Sequence, residues 1–302
     1  FTIPQFFSRR FRDDKNILAV LAAVIIIIFF IPYTASGFAA CGKLFSSLFG
    51  MNYMTAMIIS AVVIVAYTTA GGFFAASATD FVQSIIMTVA IVFVLVFSTI
   101  SAGGIDVVVE NAKALPGYLS LTASYIEDTG KSEPYNLLHI ITTLSWGLGY
   151  FGMPHILLRF MAIEDEKKLK LSRRVASVWV VIAMAMAVLI GIVGRALSNT
   201  GLVDQLHGND TETIIVRVAH LLSTYGAFPA IMAGLILAGI LASTMSTADS
   251  QLLAAASSVS ENILREAFHL KISEKKSMLA ARLTVIGIAI LGIIIARNPD
   301  SS

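Results

Sequence analysis

Charge is scarce in this sequence of 302 residues: only 13% are Asp, Glu, Lys or Arg, about half the share that keeps a soluble domain of this size in solution. That scarcity excludes a water-facing enzyme or a nucleic-acid binder of ordinary composition. Cysteine is nearly absent as well. Cys41 stands alone, so neither an internal disulfide nor a cysteine metal site can form. No cleavable signal pattern precedes the first long apolar run, and the chain opens on Phe1 rather than methionine, so it reads as a fragment truncated at both ends. Low-complexity tracts and a separate soluble domain are missing too. So is any chain of Asp, Glu or His through the middle of the apolar runs, which leaves a proton relay without a path.

What is present is apolar: 57% of residues are hydrophobic and the mean hydropathy is +0.82. A helix needs roughly 20 apolar residues to cross about 30 Å of hydrocarbon, and seven runs approach that length. They are Ile17 to Cys41, Tyr53 to Ala75, Phe81 to Ala102, Leu137 to Leu158, Val175 to Leu197, Phe228 to Ser257 and Leu283 to Ala296. None alternates with the period of two that a membrane barrel requires, so the spans are helices and the fold class is an all-α membrane protein, one transmembrane domain over 1–302.

Orientation follows from the basic residues. Fifteen of the 21 fall in three clusters: Arg9 to Lys15, Arg159 to Arg174 and Arg265 to Arg282. These occupy alternate connections, so segment 1–16 and loops 159–174 and 261–282 are expected to be cytoplasmic, with the N-terminus inside a plasma or inner membrane. Loop 103–136, which carries Asp106, Glu110, Glu127, Asp128 and Glu133, is expected outside. Two segments have amphipathic spacing. Phe1, Phe6, Phe7 and Phe11 interleave with arginines and suit either a helix in the headgroup region or a solvated linker. Thr211 to Tyr225 carries Ile214, Val218 and Leu221 on one side and is expected to pack on the outer face.

Three glycines and a proline interrupt the fourth run, Trp146-Gly147-Leu148-Gly149-Tyr150-Phe151-Gly152-Met153-Pro154-His155. In a transporter such an interruption points to a binding site, because unwound backbone exposes N–H and C=O groups near mid-membrane. Trp146 and Tyr150, four apart, present rings on one face that suit a small apolar ring and an ammonium group. A kinked helix packed closely through small residues would carry the same pattern. In the sixth run, Ser243, Ser246, Thr247 and Ser250 fall on one helix face. Their oxygens suit a hard cation such as sodium, and equally suit interhelical hydrogen bonding. Asp80 in Asp80-Phe81-Val82-Gln83 resembles a capping box opening the third run, with cation release as the functional alternative. Asp249 is expected to be solvated near a helix end, His155 to be a packing residue, and Tyr33, beside Pro32, to be one mid-run polar ring.

At these residues the sequence resembles the sodium/solute symporter family, and within it the sodium/proline symporters. The likeness is carried by Gly147 to Ile156 with Arg159-Phe160-Met161-Ala162, by Leu241 to Thr247 with Ser250-Gln251-Leu252-Leu253, and by Pro4-Gln5-Phe6-Phe7, Tyr33 to Gly37 and Thr79-Asp80. It implies a leucine-transporter-type inverted-repeat bundle, of which the seven runs would be core helices three to nine. It also implies sodium as coupling ion at Ser243 (through its carbonyl), Ser246 and Thr247, with cation release at Asp80. Substrate contact would fall to Tyr33, Trp146, Tyr150, Met153 and Pro154. The proline symporters usually carry glutamine where Met153 stands, so a thioether replaces an amide. The expected protein is therefore no enzyme but a sodium-coupled importer of L-proline or a similar zwitterion, working in a lipid bilayer by alternating access. Alternatives are a symporter for pantothenate, a carboxylate, choline or a sugar, and a symporter-like membrane sensor. An intramembrane enzyme lacks a nucleophile or carboxylate pair with a base at matching depth.

Overall fold

The computed structural model describes residues 2–127, 129–150, 152–268 and 273–298. Phe1, Asp128 and Phe151, named above, lie outside them. Helix accounts for 81% of the described residues, as expected where a backbone in hydrocarbon satisfies its own hydrogen bonds. In chain order the helices are α1 (Ile3–Phe11), α2 (Ile17–Phe49), α3 (Tyr53–Ser101), α4 (Ile105–Lys113), α5 (Leu137–Tyr150) and α6 (Pro154–Met161). Then follow α7 (Leu169–Asn199), α8 (Ile214–Ser223), α9 (Ala227–Ser257), a π-helical extension of α9 over Ser258–Ala267, and α10 (Glu274–Ile295).

The sequence expectation changes in four places. Two of the seven runs fall within α3, which bends at one residue instead of passing through a loop. The run Leu137 to Leu158 divides into α5 and α6. Much of loop 261–282 is helical, because the π-helical extension and the first turns of α10 occupy it. Loop 103–136 holds α4 and an antiparallel hairpin of β1 (Ala123–Ile126) and β2 (Lys131–Pro134), with Tyr125 opposite Ser132. Among the described residues, five helices are long and apolar enough to cross a membrane: α2, α3, α7, α9 with its extension, and α10.

The chain forms two compact units. The first comprises Phe1–Ile85, Met153–Leu169 and Ile240–Ser302. Its core gathers Phe30, Phe38, Met57, Ile64, Leu252 and Ile288. Close helix approach depends on missing side chains: a Cβ on Gly42 of α2 would lie 2.9 Å from both Met57 and Tyr53 of α3. In a bilayer, where lipid tails are as apolar as leucine, such close packing is the main attraction between helices.

The second unit comprises Ile86–Gly152 and Lys170–Gly239. Its core includes Val94, Ile190, Leu197, Val218, Leu222 and Ile236. The amphipathic segment appears as α8 after a 3₁₀ turn at Gly208–Thr213, and its buried side is Val216, Val218, Ala219 and Leu222. Trp179 Nε1 of α7 donates to Thr88 Oγ1 of α3 at 2.9 Å. The Arg195 guanidinium lies 5.6 Å over the Tyr125 ring and ties the hairpin to α7.

The bend in α3 sits at Gly72, with φ 60° and ψ −159°, a region essentially restricted to glycine. A straight helix would set Tyr67 and Asp80 about 20 Å apart along its axis; the bend frees them from that spacing. A Cβ at Gly72 would meet no atom within 4 Å, so its cost is confined to the backbone. Gly72→Ala should therefore destabilise the intact protein by about 1–3 kcal/mol, read as a lowered thermal midpoint in detergent. Gly234→Ala, in an open position on α9, should leave the midpoint unchanged or raise it.

Candidate functional site

Helix geometry ends at Tyr150 and resumes at Pro154. Met153 is extended (φ −63°, ψ 118°) and Pro154 occupies the first turn of α6, where its missing N–H is harmless. The Met153 carbonyl accepts from the N–H groups of Ile156 and Leu157, each at 3.1 Å. The interruption expected from the three glycines is thus a real gap between two helices. Within the second unit, Trp146 and Tyr150 stack with ring centroids 6.4 Å apart and planes 21° from parallel, and both rings are exposed.

Within the first unit, Tyr33 and Phe30 of α2 each meet His155 of α6 edge to face, at 6.4 and 5.6 Å between centroids. His155 packs against these rings, but it is not the satisfied packing histidine expected: its Nδ1 is buried without a hydrogen-bond partner. The hydroxyl stripe of α9 folds back on its own backbone. Ser246 Oγ and Thr247 Oγ1 both donate to the Ser243 carbonyl, at 3.1 and 3.2 Å, and Ser250 Oγ lies 2.8 Å from the Ser246 carbonyl oxygen. A hydroxyl whose proton is turned inward presents its lone pairs outward. The Ser246 and Thr247 hydroxyls therefore present lone pairs outward within about one turn of helix, oxygens that suit a hard cation; the Ser243 carbonyl, which accepts both their protons, would join them only by giving up one of those bonds.

The acids differ from expectation. Asp80 caps nothing: it lies inside α3, because Phe73 to Thr79 contains no residue that would end a helix. Its carboxylate pairs with Arg159 of α6, and the same guanidinium donates to Ser250 Oγ of α9. Asp249 is fully buried rather than solvated. Tyr67 OH donates to Asp249 Oδ2 at 3.0 Å, and Ser250 Oγ, whose one proton goes either to the Ser246 carbonyl or to Asp249, lies 3.0 Å from Asp249 Oδ1. Next to them Gln251 is fully buried, its Oε1 accepting from Thr34 Oγ1 at 3.5 Å. The first unit thus holds a connected polar cluster of Asp80, Arg159, Ser250, Asp249 and Tyr67, drawn from α3, α6 and α9.

Sequence reasoning found Asp80 and Ser250 but not their partners. Arg159 was counted with a basic cluster, although it stands eight residues before Lys167 and only five after Pro154. Tyr67, inside an apolar run, offered the same signal as Tyr33. Asp249 was placed by its nearness to the end of a run, and the run continues as helix for two further turns.

A model of the sodium:solute symporter family matches residues 1–302. Over 301 residues the chain is 38% identical to an osmoregulated proline transporter of Bacillus subtilis, covering 100% of this chain and 58% of that protein. It is 36% identical over 304 residues to sodium/proline symporter 2 of Staphylococcus saprophyticus, covering 100% of this chain and 56% of that protein. A sodium/proline symporter of Staphylococcus aureus matches with the same identity and coverage. The chain thus spans somewhat over half the length of these relatives. A solved Na+-coupled sialic acid symporter, in a substrate-bound outward-open state, aligns with a TM-score of 0.78 at 20% identity, covering 98% of this chain and 61% of that one. That likeness shows the fold.

Removing the guanidinium would leave Asp80, whose side chain is 10% exposed, as a buried unpaired charge. Arg159→Gln should destabilise the intact protein by about 1–3 kcal/mol. The double variant Asp80→Asn with Arg159→Gln should recover most of that loss in the same thermal measurement.

Proposed function

Because the chain belongs to the sodium:solute symporter family, we propose that the protein of which it forms part is a sodium-coupled secondary active importer of L-proline or a similar small zwitterion. The observation that carries this reading is the pair of Ser246 and Thr247 hydroxyls on one helix, whose protons are already committed to the Ser243 carbonyl. Such a set favours a dehydrated monovalent cation without requiring a carboxylate that would also bind protons. The proline-transporting relatives favour the cargo. Asp80, held beside Ser250 through Arg159, is the group over which the ion would pass on release.

For the substrate, Trp146 and Tyr150 supply stacked rings suited to an apolar ring and its ammonium. Met153 and Pro154 supply the interrupted backbone, and Tyr33 a phenol. Sodium binding would favour the outward-open state, and substrate would then bind to that state, so the two gradients couple only through the shared conformation. Segment 1–16 and loops 159–174 and 261–282 face the cytoplasm in this reading, and loop 103–136 faces outward, in agreement with the placement of the basic residues. Met153 favours one variation, a different small solute of the same family, because a thioether offers no amide hydrogen bond.

Uptake of labelled L-proline by the intact gene product in proteoliposomes tests the reading. Uptake should require an inward sodium gradient, vanish with potassium in its place and be blocked by excess unlabelled proline. A folded protein that excludes proline under both gradients would overturn the cargo, and competition with pantothenate, choline and sugars would then identify another. Ser246→Ala with Thr247→Ala should raise the sodium concentration for half-maximal uptake several-fold; unchanged sodium dependence would remove the ion from these oxygens. Trp146→Ala should weaken substrate far more than sodium, whereas equal loss of both would indicate damage to the fold.

A further inference from the structure

The residues before α2 have a role beyond linking. The helix α1 is capped at its start by Thr2 and Gln5, whose side chains each bond the other's backbone N–H, at 3.3 Å and 2.9 Å. It packs on α2, α6 and the π-helical extension of α9. The side it turns inward is small and polar, with Pro4 and Ser8 buried. Its outward side is unlike a solvated helix. Phe6, Phe7 and Phe11 are 45%, 39% and 65% exposed, and the exposed Arg9, Arg10 and Arg12 stand among them.

Its place in the chain puts that side near a membrane surface: the apolar span α2 begins at Ile17, and the five residues between the helices reach at most about 17 Å. Aromatic rings and guanidinium groups interleaved on one face match a boundary of acyl chain and phosphate.

The inner side of α1 is tied to the rest of the unit by buried polar contacts. Asn262, fully buried on the π-helical extension, donates through Nδ2 to Thr2 Oγ1 at 2.8 Å and to Glu266 Oε2 at 3.1 Å. Gln5 Nε2 donates to Glu266 Oε1 at 2.8 Å. After α1, Asn16 Nδ2 donates to the Glu266 carbonyl at 3.2 Å. Thr2 also borders a cavity of about 690 Å³, whose wall includes Arg159, Glu261, Arg265, Ser277 and Met278. Glu261 holds Arg265 at 2.7 Å and accepts from Ser277 Oγ of α10 at 2.8 Å. The same π-helical extension therefore carries both the α1 contacts and the cavity wall, and π geometry within a long helix often marks functional positions.

We propose that α1 docks anionic lipid headgroups through Arg10 and Arg12, with its phenylalanines in the acyl boundary, and that Asn262 and Glu266 transmit this docking to the cavity wall. Lipid charge then sets the openness of the cavity whichever solute is carried, so the test needs no transport assay.

The test uses the intact gene product with its native cysteines replaced, a single cysteine at Phe7→Cys or Met278→Cys, and a membrane-impermeant maleimide. The protein is reconstituted in vesicles of phosphatidylcholine alone or with one-third phosphatidylglycerol. Phosphatidylglycerol should slow labelling at position 7 about ten-fold and change the labelling rate at position 278. Arg10→Gln with Arg12→Gln should abolish both effects, and so should 0.5 M salt on the unaltered arginines, which separates lost lipid contact from lost fold. Asn262→Ala should keep the lipid effect at position 7 and remove it at position 278. Equal labelling at position 7 in both vesicles would overturn the docking. A lipid effect at position 278 that survives Asn262→Ala would overturn the transmission.

Discussion

Asp80 is an ionised group placed among apolar helices, and Arg159 supplies the counter-charge that keeps it there. A lone carboxylate in such surroundings is expensive, and pairing helps only where the remaining polar atoms are also met. Arg159 also reaches Ser250, while the second carboxylate oxygen, Asp80 Oδ1, is buried without a hydrogen-bond partner. One guanidinium therefore joins the arm of α3 beyond Gly72, the helix that resumes after the break at Gly152–Met153, and the hydroxyl-bearing part of α9. The bend in α3 places Tyr67 and Asp80 in one cluster, and the break before α6 delivers Arg159 to it.

Around that cluster the packing is built from small residues. Ala61, Ala248, Ala254 and Ala255 are buried at or below 2% exposure, and Gly42 admits the side chains of Met57 and Tyr53. Large apolar residues such as Phe29, Phe74 and Ile100 point outward, at 68%, 85% and 72% exposure. Large apolar side chains thus lie outside as well as in the core with Phe38 and Met57, as expected where lipid solvates the outside and attraction between helices comes from close backbone approach. Many polar contacts are local in kind: hydroxyls of α9 return to their own carbonyls, while longer-range bonds include the Asp80 cluster, the contacts of Asn262 and the bond from Trp179 to Thr88.

Hydropathy alone determined that this chain lies in a membrane as helices, because apolar length and the lack of period-two alternation leave no other spanning structure. Composition also located the interruption at Gly147 to Pro154, since glycine and proline act on the backbone of their own residue and are legible wherever they stand. The hydroxyl face of α9 was readable from helical periodicity, and a shared motif pattern sufficed for the family.

The tertiary structure alone decided the partners. Asp80 read as a cap because capping is a local property of the next few residues, whereas its real partner is 79 positions away in sequence. Asp249 read as solvated because distance to the end of an apolar run measures depth along one helix, and burial depends on the neighbouring helices that cover it. The pair Gly71-Gly72 marks a candidate break, but only the fold decides that the chain bends there through a left-handed φ and continues as helix on both sides. The contacts of α1 were equally hidden: amphipathic spacing showed which face is unlike the other, but not that Asn262 waits beneath it. Local backbone preference and apolar length are written residue by residue along the chain; counter-charges and hydrogen-bond partners belong to pairs, and pairs are set only when the helices pack.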